Sequence, residues 1–266
     1  MIELKGKVAL VTGATKMKGL GKAVADRLVA AGATVVVTGR ERSMPGAEEV
    51  VTALKAAGGE AMAVSVDVAH EDQIDAAVAK IADAHGGIDV LVNNAGIGVG
   101  SPSLAENTDR DWDANYAVNV KGTMAMCRGV IPSMIARGGG AIVNVSSMAG
   151  LGANPGMPYP YVATKFALVG VTKMLALEFA SQGIRANVVA PGAIATDMLM
   201  QAYEAIASAN NISVGEAARL ENASIPLGRP ADPGEIADTV VWLASPAAAY
   251  VTGVALPVAG GMSPGI

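Results

Sequence analysis

At 266 residues, 52% of them apolar, the chain is long enough for one large core, and its net charge of −5 argues against a nucleic-acid surface. Its one cysteine, Cys127, excludes an intrachain disulfide, and with only two histidines no His/Cys zinc cluster can form, so no metal site is expected. Residues 1–7 lack the apolar stretch of a signal peptide and no long apolar run appears later, so the expectation is a cytoplasmic protein without a membrane span.

The predicted elements alternate along the whole chain. Residues 7–12 (KVALVT) form a short β-rich run, followed by a Gly-rich turn and a helical pattern over 19–31 that Gly32 closes. A buried strand at 34–38 (TVVVT) leads to a helix at 47–57, a strand at 61–66 and a helix over Glu71–His85. A fourth strand at 88–92 precedes a long helical pattern over 109–137, in which Pro132 is expected to bend or end the helix. Then come a strand at 141–145, a helix at 161–181, a strand at 184–189, a helix at 232–244 and a last strand at 253–258. Continuous apolar strands alternating with helices predict an α/β fold, a doubly wound parallel sheet of about seven strands in a single domain spanning 1–266. Only 196–227 breaks the rhythm, and it reads as an excursion of one or two short helices covering the substrate site as a lid.

The first strand runs into Gly13, Thr15, Lys16, Lys18, Gly19, Leu20 and Gly21. Glycines here let the backbone turn tightly and approach a pyrophosphate at a helix N-terminus. Where a carboxylate often ends strand two to bind ribose hydroxyls, this chain has Thr38-Gly39-Arg40. Arginine can fork onto a 2′-phosphate, and Lys16, Lys18 and Arg42 add positive charge, so NADP(H) is expected over NAD(H), with NAD(H) still usable. The alternative is that these cations are solvated surface charges. Tyr161 and Lys165 lie four apart, on one face of a helix, fourteen residues after Ser147. An ammonium beside a phenol favours the phenolate, which brings proton exchange toward neutral pH. The serine hydroxyl can bond the oxygen that gains or loses the proton.

In this order the motifs resemble the short-chain dehydrogenase/reductase family over nearly the whole chain. Thr12-Gly13…Gly19-Leu20-Gly21 is similar to its cofactor loop, and Asp67-Val68 to the segment holding the adenine. Asn93-Asn94-Ala95-Gly96 matches its signature after strand four, with Asn93, Ala95 and Gly96 expected at the cofactor. Pro191-Gly192-Ala193-Ile194-Ala195-Thr196 matches its nicotinamide segment, implying cofactor contacts from Pro191, Gly192, Ile194 and Thr196. The resemblance implies a Rossmann-type fold, a homotetramer and a catalytic set of Asn119, Ser147, Tyr161 and Lys165. Tyr161 would be the acid, Ser147 would polarise the carbonyl oxygen, and Lys165 would lower the tyrosine pKa and bond the nicotinamide ribose. Asn119 would hold a water. The pattern departs from the family in three places. Five residues separate Gly13 from Gly19 where three are usual. The Ser147–Tyr161 spacing is one longer than common, extending the 154–160 loop. Ala259 stands where aspartate is common.

Several residues admit a second reading. Ser146 is a second candidate for the serine, although its side chain should point to the other face of the strand. Tyr159 lacks a lysine four residues on and reads as a pocket wall. Cys127 reads as a core residue, Asp197 as a helix N-cap, and Met198, Leu199 and Met200 as either packing or an apolar pocket wall. The leading function is hydride transfer between NADP(H) and a small-molecule carbonyl or secondary alcohol. The alternatives are a 3-oxoacyl-thioester reductase and a non-catalytic redox-sensing module, the latter disfavoured because serine, tyrosine and lysine are all present. A sugar-nucleotide epimerase would need a larger C-terminal region.

Overall fold

The computed structural model describes residues 2–152 and 156–262. Seven parallel strands form one sheet in the order β3-β2-β1-β4-β5-β6-β7. They are β1 (Val8–Val11), β2 (Thr34–Gly39), β3 (Ala61–Ser65), β4 (Val90–Asn93), β5 (Gly140–Val145), β6 (Ile184–Pro191) and β7 (Ala255–Val258). The order reverses between β1 and β4, and the crevice at the carboxyl ends of these two strands is where an open α/β sheet binds ligands.

Helices cover both faces. On one side α1 (Leu20–Ala30), α2 (Met44–Ala56) and α9 (Pro233–Ala244) pack on Ala9, Val11, Val35 and Val37. On the other, α3 (Glu71–His85) and α5 (Thr123–Ala136) pack on Val8, Leu10, Val36 and Leu91, and Leu175 and Phe179 of α6 (Tyr159–Phe179) join them. Alternate residues of one strand thus feed two cores, as a pleated sheet covered on both faces requires. At the amino end of the sheet, Asp89 receives Arg137, Lys7 and the Val8 N–H. Burial alone would raise its pKa, but these three donors together hold the carboxyl below its usual range.

The expected long helix over 109–137 is interrupted. It starts as α4 (Asp109–Asn115), closed at its head by a reciprocal Thr108–Asp111 capping box, loosens into a π-type stretch over Tyr116–Gly122 and resumes as α5. Pro132 does not end it, since α5 continues to Ala136. Helix α6 begins at Tyr159, two residues before the expected start, with Pro160 in its first turn, where a missing N–H costs nothing. The excursion folds as two helices, α7 (Asp197–Asn210) and α8 (Val214–Ala223), joined by the Tyr203 hydroxyl donating to Asn222 Oδ1 at 2.8 Å. Thr196, not Asp197, stands at the cap of α7; Asp197 is its first residue, where a carboxylate still favours the helix dipole.

Candidate active site

At the switch point the β1–α1 turn lies over the segment after β4. Thr12 Oγ1 accepts the N–H groups of Asn94 and Ala95 (both 3.0 Å), and Asn94 Nδ2 donates to the Thr12 carbonyl (2.9 Å). Gly13 has φ +69°, and a Cβ there would come within 2.9 Å of Ala95 Cα, so this turn admits only glycine. The N-terminus of α1 has no side-chain cap and no acid in its first turn, which leaves its N–H groups free for an anion.

A cleft of about 450 Å³ opens here. Most of the expected cofactor residues line it: Gly13, Thr15, Lys16, Gly19, Leu20, Gly21, Arg40, Asp67, Val68, Ala95, Gly96, Ile194 and Thr196. Lys18, Thr38, Asn94 and Met198 join them. The Thr38 hydroxyl is buried at the cleft without a partner among the described residues. A glycine cradle, an open helix N-terminus, three cations and an unpartnered hydroxyl fit a dinucleotide phosphate backbone.

Asn93 corrects the expectation. As the last residue of β4 it turns its side chain inward, donating to Asn144 Oδ1 (2.8 Å) and Cys127 Sγ (3.4 Å), while Asn94 faces the turn. Pro191, Gly192, Tyr161 and Lys165 stand outside the lining of the cleft. Burial pushes the Cys127 thiol to about 12, consistent with a core residue.

The catalytic candidates come together at the carboxyl ends of β4 and β5. Lys165 Nζ lies 5.5 Å from the centre of the Tyr161 ring and donates to the Val145 carbonyl (2.9 Å). Burial lowers the Lys165 pKa to about 8. Burial also pushes the Tyr161 phenol above its ordinary range, opposed by the neighbouring Ser147 hydroxyl. The expected lowering of the tyrosine pKa by Lys165 is therefore not a property of this state. Both groups are desolvated and, among the described residues, no carboxylate pairs with Lys165, so burial outweighs their mutual attraction. The two serines separate cleanly: Ser146 is buried and donates to the Lys165 carbonyl (2.9 Å), while Ser147 faces Tyr161.

Asn119 sits within the π-type stretch with both sides of its amide engaged. Its Oδ1 accepts the Ile97 N–H (2.9 Å), and its Nδ2 donates to the Ile97 carbonyl (2.8 Å) and Thr164 Oγ1 (3.0 Å). The Thr164 hydroxyl in turn donates to the Tyr161 carbonyl (2.9 Å). One turn earlier Asn115 donates to the Val99 carbonyl (2.9 Å) and the Asp111 carbonyl (2.8 Å). Between these anchors, a Cβ on Gly98 would come within 3.1 Å of the Tyr161 ring. Two asparagines thus pin the strip 97–99 against the tyrosine. Asn115, Thr164 and Gly98 went unread in the sequence, where nothing marks a buried asparagine apart from an exposed one.

A family model described as Enoyl-(Acyl carrier protein) reductase matches residues 13–263. The chain is 40% identical to a 3-oxoacyl-[acyl-carrier-protein] reductase of Synechocystis, covering 98% of this chain and 99% of that one. The chain belongs to the short-chain dehydrogenase/reductase family. It is therefore an oxidoreductase that moves a hydride between a nicotinamide cofactor and a carbonyl or secondary alcohol. It is also 39% identical to 3beta-hydroxysteroid dehydrogenase 1 of Eggerthella lenta, covering 98% of this chain and 95% of that one. Its fold superposes on L-sorbose reductase from Gluconobacter frateurii, complexed with NADPH and L-sorbose, with a TM-score of 0.92 at 32% identity, covering 100% and 99% of the two chains. Relatives with one scaffold thus carry names for substrates of very different size and polarity.

Proposed function

We propose that this chain is an NADPH-dependent carbonyl reductase, equally a secondary-alcohol dehydrogenase in reverse. The observation that carries the reading is the assembly of Ser147, Tyr161, Lys165 and Asn119 beside a cleft whose cations include Arg40, Lys16 and Lys18. When bound, the reduced nicotinamide supplies the hydride. Tyr161, held protonated by burial, gives its proton to the carbonyl oxygen as negative charge develops there. The Ser147 hydroxyl donates to the same oxygen. Lys165, charged below about pH 8, puts a desolvated positive charge next to that oxyanion. Asn119 and Asn115 hold the strip against which the Tyr161 ring rests. Arg40 and a lysine of the long Gly loop select the 2′-phosphate, and α7–α8 form the lid.

Exposed Phe166, Met174 and Leu177 on α6 and Ile135 on α5 support a homotetramer, in which helices pair across a dyad. The test of function is a panel of ketones and aldehydes with NADPH and with NADH, read by loss of reduced-nicotinamide absorbance. NADPH-dependent turnover of some carbonyl compound is expected; silence across a broad panel, with intact dinucleotide binding, would contradict the reading.

A further inference from the structure

Three segments leave the carboxyl ends of their strands, the end at which an open α/β sheet binds ligands: 97–115 after β4, 146–152 with 156–158 after β5, and 192–235 after β6. The first carries four acids, Glu106, Asp109, Asp111 and Asp113, against one base, Arg110. The second carries no charge. The third carries six acids, Asp197, Glu204, Glu216, Glu221, Asp232 and Glu235, against Arg219 and Arg229. Together these segments carry an excess of seven negative charges in a chain whose net charge is −5.

Both bases of the third segment are already paired. The Arg219 guanidinium forks onto Glu216 (2.9 and 2.7 Å), and that of Arg229 onto Glu235 (both 2.7 Å). Arg110 lies between two aspartates in sequence. Of the other cations at this end, Lys16, Lys18 and Arg40 line the dinucleotide cleft. What these segments do offer is apolar surface: Val99, Leu104, Met157, Met198 and Leu227 are all exposed.

Resting on the carbonyl-reductase reading, we infer that the substrate is an uncharged, apolar ketone taken free from solution, and not a 3-oxoacyl thioester on a phosphate-bearing tether. A phosphopantetheine arm or coenzyme A places phosphate at the entrance while its thioester reaches the chemistry. Phosphate recognition calls for unpaired cations in fork geometry, and here the entrance repels. Like charges facing one another lower the association rate and oppose docking, an effect that salt relieves. The exposed methionines and leucines instead favour an aliphatic or alicyclic body, whose burial gains about 25 cal/mol for each Å² removed from water.

The test compares kcat/KM at saturating NADPH for a series of neutral methyl ketones of growing chain length, for ethyl acetoacetate and for acetoacetyl-CoA, at low and high salt. The neutral ketones are expected to improve with chain length and respond little to salt. Acetoacetyl-CoA is expected to be at least about 10-fold poorer at low salt and to improve as salt rises. The double variant Asp113→Lys with Glu204→Lys should raise the ratio of the CoA thioester's kcat/KM to that of the neutral ketones on the order of 10-fold. Preference for acetoacetyl-CoA, with kcat/KM falling as salt rises, would overturn the inference while leaving the reductase reading intact. Oxidation of NADPH by neither class would contradict the reductase reading and this inference together.

Discussion

At the residue scale the chemistry rests on burial of a phenol and an amine side by side. Replacing Tyr161 by Phe keeps the ring that packs on Gly98 but removes the proton donor. We expect kcat to fall by at least about 10²-fold with the dissociation constant for NADPH nearly unchanged; near-wild-type turnover in the purified variant would remove Tyr161 from the acid role. Lys165 makes a separate prediction about stability. Burial depresses its pKa from 10.5 to about 8 in the folded protein. Between those values the unfolded chain binds the proton and the folded chain does not, so raising the pH through this window favours folding. Below it both states are charged and the penalty of burying the ammonium is complete. Relative to Lys165→Met, the cofactor-free wild type should therefore gain stability from about pH 8 to 10.5, by roughly 3 kcal/mol at most. Denaturant titrations of both proteins across that range check this, and a difference that stays flat would show that Lys165 is not desolvated. Arg40→Ala should weaken NADPH by roughly 10- to 150-fold, as loss of one charge-assisted contact implies, and NADH far less. Equal weakening of both cofactors in a binding titration would assign Arg40 to the surface.

At the scale of elements, most of the fold was legible because buried parallel strands read as continuous apolar runs: KVALVT, TVVVT and the Val and Ile residues of β4 to β6. The site was legible where chemistry needs fixed spacing along one helix, as between Tyr161 and Lys165, or a glycine turn, as at Gly13. It was not legible where a polar side chain takes its role from tertiary partners. Asn93 and Asn94 are neighbours with opposite fates, one buried against Asn144 and one on the β1 turn, and residue type does not distinguish them. The π-type stretch over Tyr116–Gly122 has the same apolar period as the helix around it, so periodicity ran through it unbroken. Of the extended loop before α6, Asn154 and Pro155 lie outside the described residues. The asparagine pair yields a test of the strip it pins. Asn115→Ala leaves the Val99 and Asp111 carbonyls without that donor, and should cost roughly 1–3 kcal/mol in urea unfolding. It should also lower kcat while leaving NADPH affinity alone, since Asn115 is not part of the cleft lining. A variant with full activity would show that the strip holds Tyr161 in place without it. For α7–α8, hydrogen exchange should slow when cofactor and a substrate analogue bind together. Protection already equal to that of β4 and β5 in the free protein would make the pair fixed structure.

For the whole molecule, the exposed apolar stripe of α6 predicts assembly. Leu177 is 78% exposed and Met174 62%, which a monomer gains nothing by displaying. If the proposed tetramer forms, Leu177→Arg should shift the mass measured by light scattering downward, and a monomeric wild type at micromolar concentration would refute the assembly. All these features converge on one claim, that hydride from NADPH and a proton from Tyr161 reduce a carbonyl in this site. The most direct measurement supplies NADPH deuterated at the transferring position of the nicotinamide, with a turned-over ketone, and examines the alcohol by mass spectrometry and NMR. The account predicts one deuterium on the carbinol carbon, in a single stereochemical sense, and scarcely any product from Tyr161→Phe over the same time. Product without label at that carbon, or label transferred equally well by the variant, would contradict it.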